Sequence, residues 1–115
     1  MLSDLTPFID NFARKNIILA GDFNASLQWD DKQPNKSHKI LFDRIQDFGF
    51  VDCLAHYHPF PKQTWRKPND ITPWQLDHIY VSKPLFDNLK SCEVIDNSIV
   101  SSFSDHNPIV AVFDL

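Results

Sequence analysis

The sequence predicts a layered α/β unit, on three observations. Short continuous apolar runs recur, as at Ile17-Ile18-Leu19-Ala20 and Ile109-Val110-Ala111-Val112-Phe113, and such runs suit strands inside a sheet. Segments with apolar residues three and four apart lie between them, which is the spacing of a helix face. The two kinds of segment alternate along the chain with no internal repeat, low-complexity tract or linker, and that alternation is how layered folds are written.

The elements are expected in this order. Leu5, Phe8, Ile9 and Phe12 share a helical face over residues 5–12, with Thr6-Pro7 as cap and first helical residue. Residues 17–20 form a strand suited to burial on both faces, so Gly21-Asp22 falls at its C-terminal lip. Residues 25–37 read as a loop. Leu41, Ile45 and Phe48 give a helix over 37–48 that Gly49 stops. A short helix begins near Asp52. Proline-punctuated loops at 58–62 and 67–73 flank a short strand at Thr64-Trp65-Arg66. Residues 76–82 and 92–95 are strands, and 107–114 ends the chain as a buried strand.

Composition narrows the class. The chain has 115 residues, 43% of them hydrophobic, enough for one packed domain and too few for two. A net charge of −4 argues against a broad electrostatic grip on nucleic acid, although acidic metal ligands lower the charge of any nuclease. Cys53 and Cys92 form no CxxC motif and read as buried free thiols. No apolar run is long enough for a membrane span, and residues 1–16 show no signal peptide, so an intracellular, cytoplasmic protein is expected.

Three polar clusters interrupt this apolar pattern: Asp22 with Asn24, Asp77, and Asp105 with His106. A carboxylate in a strand built for burial is costly unless paired, hydrogen-bonded or bound to metal. Three such places in a small chain suggest convergence on one site. The chemistry fits phosphoester hydrolysis: Asp105 as ligand to a hard cation, Asp22 to orient or deprotonate water, Asn24 to position the nucleophile or a phosphate oxygen, a protonated His106 to stabilise phosphoryl charge, and Asp77 to hold that histidine. Each cluster alone has a plainer explanation. Asp22 and Asn24 are ordinary turn residues, Asp77 could pair with Arg66 or Lys67, and Asp105-His106 before Asn107-Pro108 could be a turn. His78 alternates away from Asp77 and is left out of the set. His56 and His58 lack a third metal ligand, Trp65 and Trp74 suit packing more than base stacking, and Lys32, Lys36 and Lys39 suit a solvated face.

Taken in order, Gly21-Asp22-Phe23-Asn24, Leu76-Asp77-His78-Ile79-Tyr80-Val81 and Ser104-Asp105-His106-Asn107-Pro108-Ile109 resemble the motifs of the endonuclease/exonuclease/phosphatase superfamily. Gly49-Phe50-Val51-Asp52, His56 and Thr64-Trp65 resemble the segment between the first two. The resemblance implies that residues 1–115 are the C-terminal part of one such domain. It would be one half of a four-layer αββα sandwich, with a mostly antiparallel or mixed sheet and helices on one face. It implies a phosphodiesterase dependent on Mg²⁺ or Mn²⁺, nuclease-like, acting on nucleic acid or a small phosphodiester. Asp22, Asn24, Asp77 and His106 would be its catalytic residues and Asp105 its metal ligand.

The family's N-terminal half, with an early Asn and a metal-binding Glu, has no counterpart here. The one glutamate is Glu93, on a strand between the second and third motifs. The chain alone is therefore expected to be inactive or weak, with an apolar sheet face left to self-association or a partner fragment. The alternative is a catalytically dead half-fold that acts through such association.

Overall fold

The computed structural model describes residues 15–30 and 36–115, so the expected helix over 5–12 lies outside the described residues. The architecture is mixed α+β with antiparallel sheets. Strands β1 (Ile18–Asp22), β2 (Val51–Asp52) and β3 (Asp77–Val81) form one sheet in the order β1-β3-β2, and β4 (Leu89–Val94) pairs with β5 (Ile109–Phe113) in another. Helices α1 (Leu27–Asp30), α2 (Ser37–Asp47), α3 (Cys53–Tyr57), α4 (Lys83–Phe86) and α5 (Ser98–Phe103) lie between them in the chain. No helix among the described residues is long and apolar enough to cross a membrane.

Helices α2 and α3 are held by side chains that accept from their open N-terminal donors. Asp30 is buried, and its two carboxylate oxygens accept from the backbone N–H groups of His38 and Lys39 at 3.2 and 2.6 Å, so the end of α1 caps the start of α2. Phe42 and Ile45 of α2 are buried, with Leu41 and Phe48 packed against the same cluster. At the far end Gly49, at φ +96°, takes the left-handed conformation that ends the helix, as its position predicts. Asp52 caps α3 by accepting from Ala55 N–H at 3.0 Å. The expected loop over 25–37 contains α1, a single turn too short to show periodicity. α4 and α5 likewise fall where no helix was expected.

Two core clusters support the strands. Ala25, Phe42, Ile45, Phe50 and Tyr80 form one; Cys53, Leu54, Val81, Leu85 and Cys92 form the other. Both cysteines are buried free thiols, as expected. Burial pushes Cys53 up to about 12 and Cys92 up to about 11, so neither is a ready nucleophile.

Two strand expectations need correction. Among the described residues the apolar run at 17–20 is not covered on both faces: Ile17 and Leu19 pack against the first cluster while Ile18 is 57% exposed. The final strand alternates too. Ile109, Ala111 and Phe113 face the second cluster, and Val110 and Val112 are exposed. An unbroken apolar run records only that both faces are apolar, not that both are covered.

Thr64 joins the loops to this frame. It is fully buried, and its hydroxyl accepts from the backbone N–H groups of Leu76 and Asp77 at 3.0 and 3.1 Å. Its own carbonyl accepts from Asn107 N–H at 2.8 Å. One threonine thereby fixes the start of β3 and the approach to β5. Thr64→Val keeps the shape and removes the acceptor for two N–H groups. It should lower unfolding free energy in urea by at least about 2 kcal/mol, whereas a change within about 0.5 kcal/mol would contradict the clamp.

Candidate active site

Asp22 stands at the last position of β1, directly opposite Asp77 at the first position of β3 in the antiparallel register. The two carboxylates are neighbours because the β1–β3 ladder makes them so. Gly21, at φ +137°, has a backbone conformation that other residues rarely adopt, inside β1 and immediately before Asp22. Asp22 then folds back on the loop: its Oδ1 accepts from Asn24 N–H at 2.8 Å, and Asn24 adopts a left-handed φ of 49°. This leaves Oδ2 of Asp22 facing the third member of the group.

That member is His106, in the turn leading into β5. Its Nδ1–H donates to Asp77 Oδ2 at 2.8 Å, and its Nε2 lies 3.8 Å from Asp22 Oδ2. The first contact is a hydrogen bond. The second is too long for one but close enough for charge attraction. The two ring nitrogens thus point at two different carboxylates, one on each strand of the other sheet's edge pair. The hydrogen bond to Asp77 holds the His106 imidazolium above the usual histidine range, with Asp22 and Asp105 adding to the effect and partial burial opposing it.

The remaining expected residues fall nearby. The Asp105 carboxylate is exposed, with Oδ2 accepting from the Trp65 indole N–H at 3.3 Å, and it does not join the Asp22–Asp77–His106 group. Asn24 is exposed beside a cleft of about 360 Å³ lined by Trp29, His38, Trp65, Lys67, Trp74 and Leu76. The three-residue group itself borders an open cleft of about 830 Å³ whose walls include Ala20, Ile79, Ile99, Phe103 and Ile109.

His78, left out of the set because it alternates away from Asp77, is buried. Its Nε2–H donates to the Ala25 carbonyl at 2.8 Å among Phe42, Phe23 and Tyr80, and burial depresses its pKa, so it is a neutral packing histidine. Asp77 does not pair with Arg66, whose guanidinium donates to Asn107 Oδ1 and the Ser104 carbonyl. Glu93 lies 3.0 Å from His58 Nε2, away from the site. Sequence reasoning names Thr64, Arg66 and Asn107 but misses their roles: it places Thr64 and Asn107 in motif segments and offers Arg66 as a partner of Asp77. What they hold is set by contacts far along the chain, which leave no periodic signature, and only the fold shows it.

One donor oxygen or nitrogen from each of Asp22, Asp77 and His106 lies within 4.8 Å of the others. The Asp77 oxygen nearest His106 is already engaged in a hydrogen bond, so this group reads as a clamped histidine more than as a cage for an ion. A hard divalent cation needs only one or two protein carboxylates beside water and substrate oxygens, and the exposed carboxylate of Asp105 meets that requirement.

A family model described as endonuclease-reverse transcriptase matches residues 1–110. The chain belongs to that family, within the endonuclease/exonuclease/phosphatase superfamily of nuclease-like phosphoester hydrolases. It is 31% identical over 122 residues to a DNA-(apurinic or apyrimidinic site) endonuclease of Dictyostelium discoideum, covering 90% of this chain and 33% of that protein. Among solved structures it is similar to a 3′ phosphatase, NExo, from Neisseria bound to a product DNA hairpin, with TM-score 0.78, 25% identity, and coverage of 98% of this chain and 51% of that one. An AP endonuclease from Archaeoglobus fulgidus shares the fold at TM-score 0.74 and 23% identity, over 99% of this chain and 53% of that one. The chain thus spans about a third of the curated relative and about half of either solved structure.

The raised pKa makes a signed prediction. The stability that the charged His106 adds is fully present below the unfolded value of about 6.5 and is lost as pH rises through the higher folded value. NMR titration of the His106 ring should give a midpoint above 6.5, and Asp77→Asn should move it down. A midpoint unmoved by Asp77→Asn would contradict the assignment of cause.

Proposed function

We propose that this chain supplies the water-activating, phosphate-facing half of a divalent-metal-dependent phosphodiesterase site of the nuclease type. The observation that carries the reading is His106 held between Asp77 and Asp22, at 2.8 and 3.8 Å, at the meeting point of two sheets. In this reading Asp77 fixes the ring through Nδ1, and Nε2–H is left to donate to a phosphate oxygen as negative charge grows there. Asp22 Oδ2, on the same side, accepts a proton from water or orients it for attack. Asn24, fixed by the Asp22 turn, offers an amide to the nucleophile or a phosphate oxygen. Asp105 is the ligand this chain brings to Mg²⁺ or Mn²⁺. When bound, the metal supplies Lewis-acid polarisation of the phosphoryl group and charge neutralisation at the leaving oxygen.

The substrate is a phosphodiester, with DNA favoured because two relatives are a DNA-(apurinic or apyrimidinic site) endonuclease and a 3′ phosphatase bound to a product DNA hairpin. The cleft beside Asn24, where Trp29 is 43% exposed and Trp65 half-buried, offers aromatic faces next to the scissile position. A further acidic ligand for the metal is expected from a complementary region of the domain, because Glu93 is engaged by His58. The chain by itself should then hydrolyse slowly or not at all. The exposed Ile99, Phe103, Val110 and Val112 favour a second reading, in which the chain acts through association alone.

The two readings part on activity. With the complementary region present, Mg²⁺- or Mn²⁺-dependent cleavage of a phosphodiester panel should fall about a hundredfold to ten-thousandfold on Asp22→Asn or His106→Ala. Chelation should abolish it. Cleavage left at the wild-type rate by Asp105→Ala would remove the metal assignment, and no cleavage at all would favour association.

A further inference from the structure

The geometry points to Arg66 as the positioning residue of the active-site turn, acting on His106 without touching substrate. The inference rests on the site reading above.

Arg66 reaches the Ser104–Asn107 turn at three places. Its backbone N–H donates to the Asp105 carbonyl at 2.8 Å. Its guanidinium donates through Nη2 to the Ser104 carbonyl and through Nη1 to Asn107 Oδ1. These acceptors bracket His106 on both sides. The turn is closed further by His106 N–H donating to Ser104 Oγ at 3.0 Å, and by Asn107 Nδ2–H donating to the Gln63 carbonyl at 2.9 Å.

The choice of acceptors is informative. An arginine serving only as a surface charge would be expected against a carboxylate, yet Arg66 spends its fork on a carbonyl and an amide oxygen. Asn107 is buried to within 1% exposure, so the Nη1 contact sits on an immobile side chain. The planar fork spans Ser104 and Asn107 at once, which fixes the orientation of the turn and not merely its position. Lysine, a point donor on a flexible stem, cannot span both. The ring of His106 meets Asp77 at hydrogen-bond distance only if that turn is oriented, so Arg66 sets the distance that the proposed chemistry uses.

The test is proton NMR of the wild-type chain, following the low-field resonance of the His106 Nδ1–H, assigned by its disappearance in His106→Ala. Arg66→Ala should lose this resonance or raise its exchange with water, while the Trp74 indole resonance stays at its folded shift. Arg66→Lys should show the same change in part. A wild-type resonance in the folded Arg66→Ala chain would overturn the inference and leave the site reading standing. If Arg66→Ala does not fold, Arg66→Lys decides: lost or fast-exchanging signal in a folded chain supports positioning, an unchanged one overturns it. Failure of both variants to fold would make Arg66 a folding residue and also overturn it. Absence of the resonance in the wild type, or its survival in Asp77→Asn, would overturn the His106–Asp77 pairing and the inference with it.

Discussion

The hydrogen bond from His106 Nδ1–H to Asp77 Oδ2 is the contact on which the rest of the site depends. Asp77 opens β3 in one sheet, and His106 precedes β5 in the other. The bond therefore fixes a ring orientation and also the relation of two sheet edges. With Nδ1 committed to Asp77, the ring plane is set and Nε2 must face Asp22. The β1–β3 register supplies the remaining constraint by placing Asp22 across from Asp77. Three side chains from three separate segments thereby share one small volume without any one of them being buried.

Their neighbours explain why this arrangement persists. Thr64 holds the start of β3 through its hydroxyl and the turn before β5 through its carbonyl, so both ends of the His106–Asp77 bond are tied to one buried residue. The bridges from Trp65 to Trp74 and to His106 continue the same support. The Asp105 carboxylate, by contrast, accepts from the Trp65 indole and stays open to solvent. Rigid support thus falls on the histidine, while the carboxylate assigned to the metal remains accessible, the division expected where an ion brings its own water and substrate oxygens.

The parts of this legible in the sequence are those that periodicity and motif order can carry. The strand ending at Gly21-Asp22, the helix stopped by Gly49, the cap at Asp52 and the strand opening at Asp77 all follow from local chemistry that tertiary contacts did not override. Order along the chain also groups Asp22, Asp77 and His106 as one set of motifs. Single-turn helices such as α1 and α4 were not legible, because four residues do not complete an amphipathic pattern. The open face of β1 is hidden too, since an apolar run is the same whether its second face is covered or open. Arg66 and Asn107 were illegible for a different reason: their role is to join segments 38 to 41 residues apart, and nothing local marks a residue that holds a distant turn.

The central claim is that Asp77 and His106 act as one device in a phosphodiesterase half-site. A double-mutant cycle on metal-dependent phosphodiester cleavage by the assembled domain tests it most directly, using Asp77→Asn, His106→Ala and the pair together. The account predicts strong non-additivity, with the double variant only slightly slower than His106→Ala, because the aspartate acts through the ring. Losses that simply multiply in the double variant would contradict it.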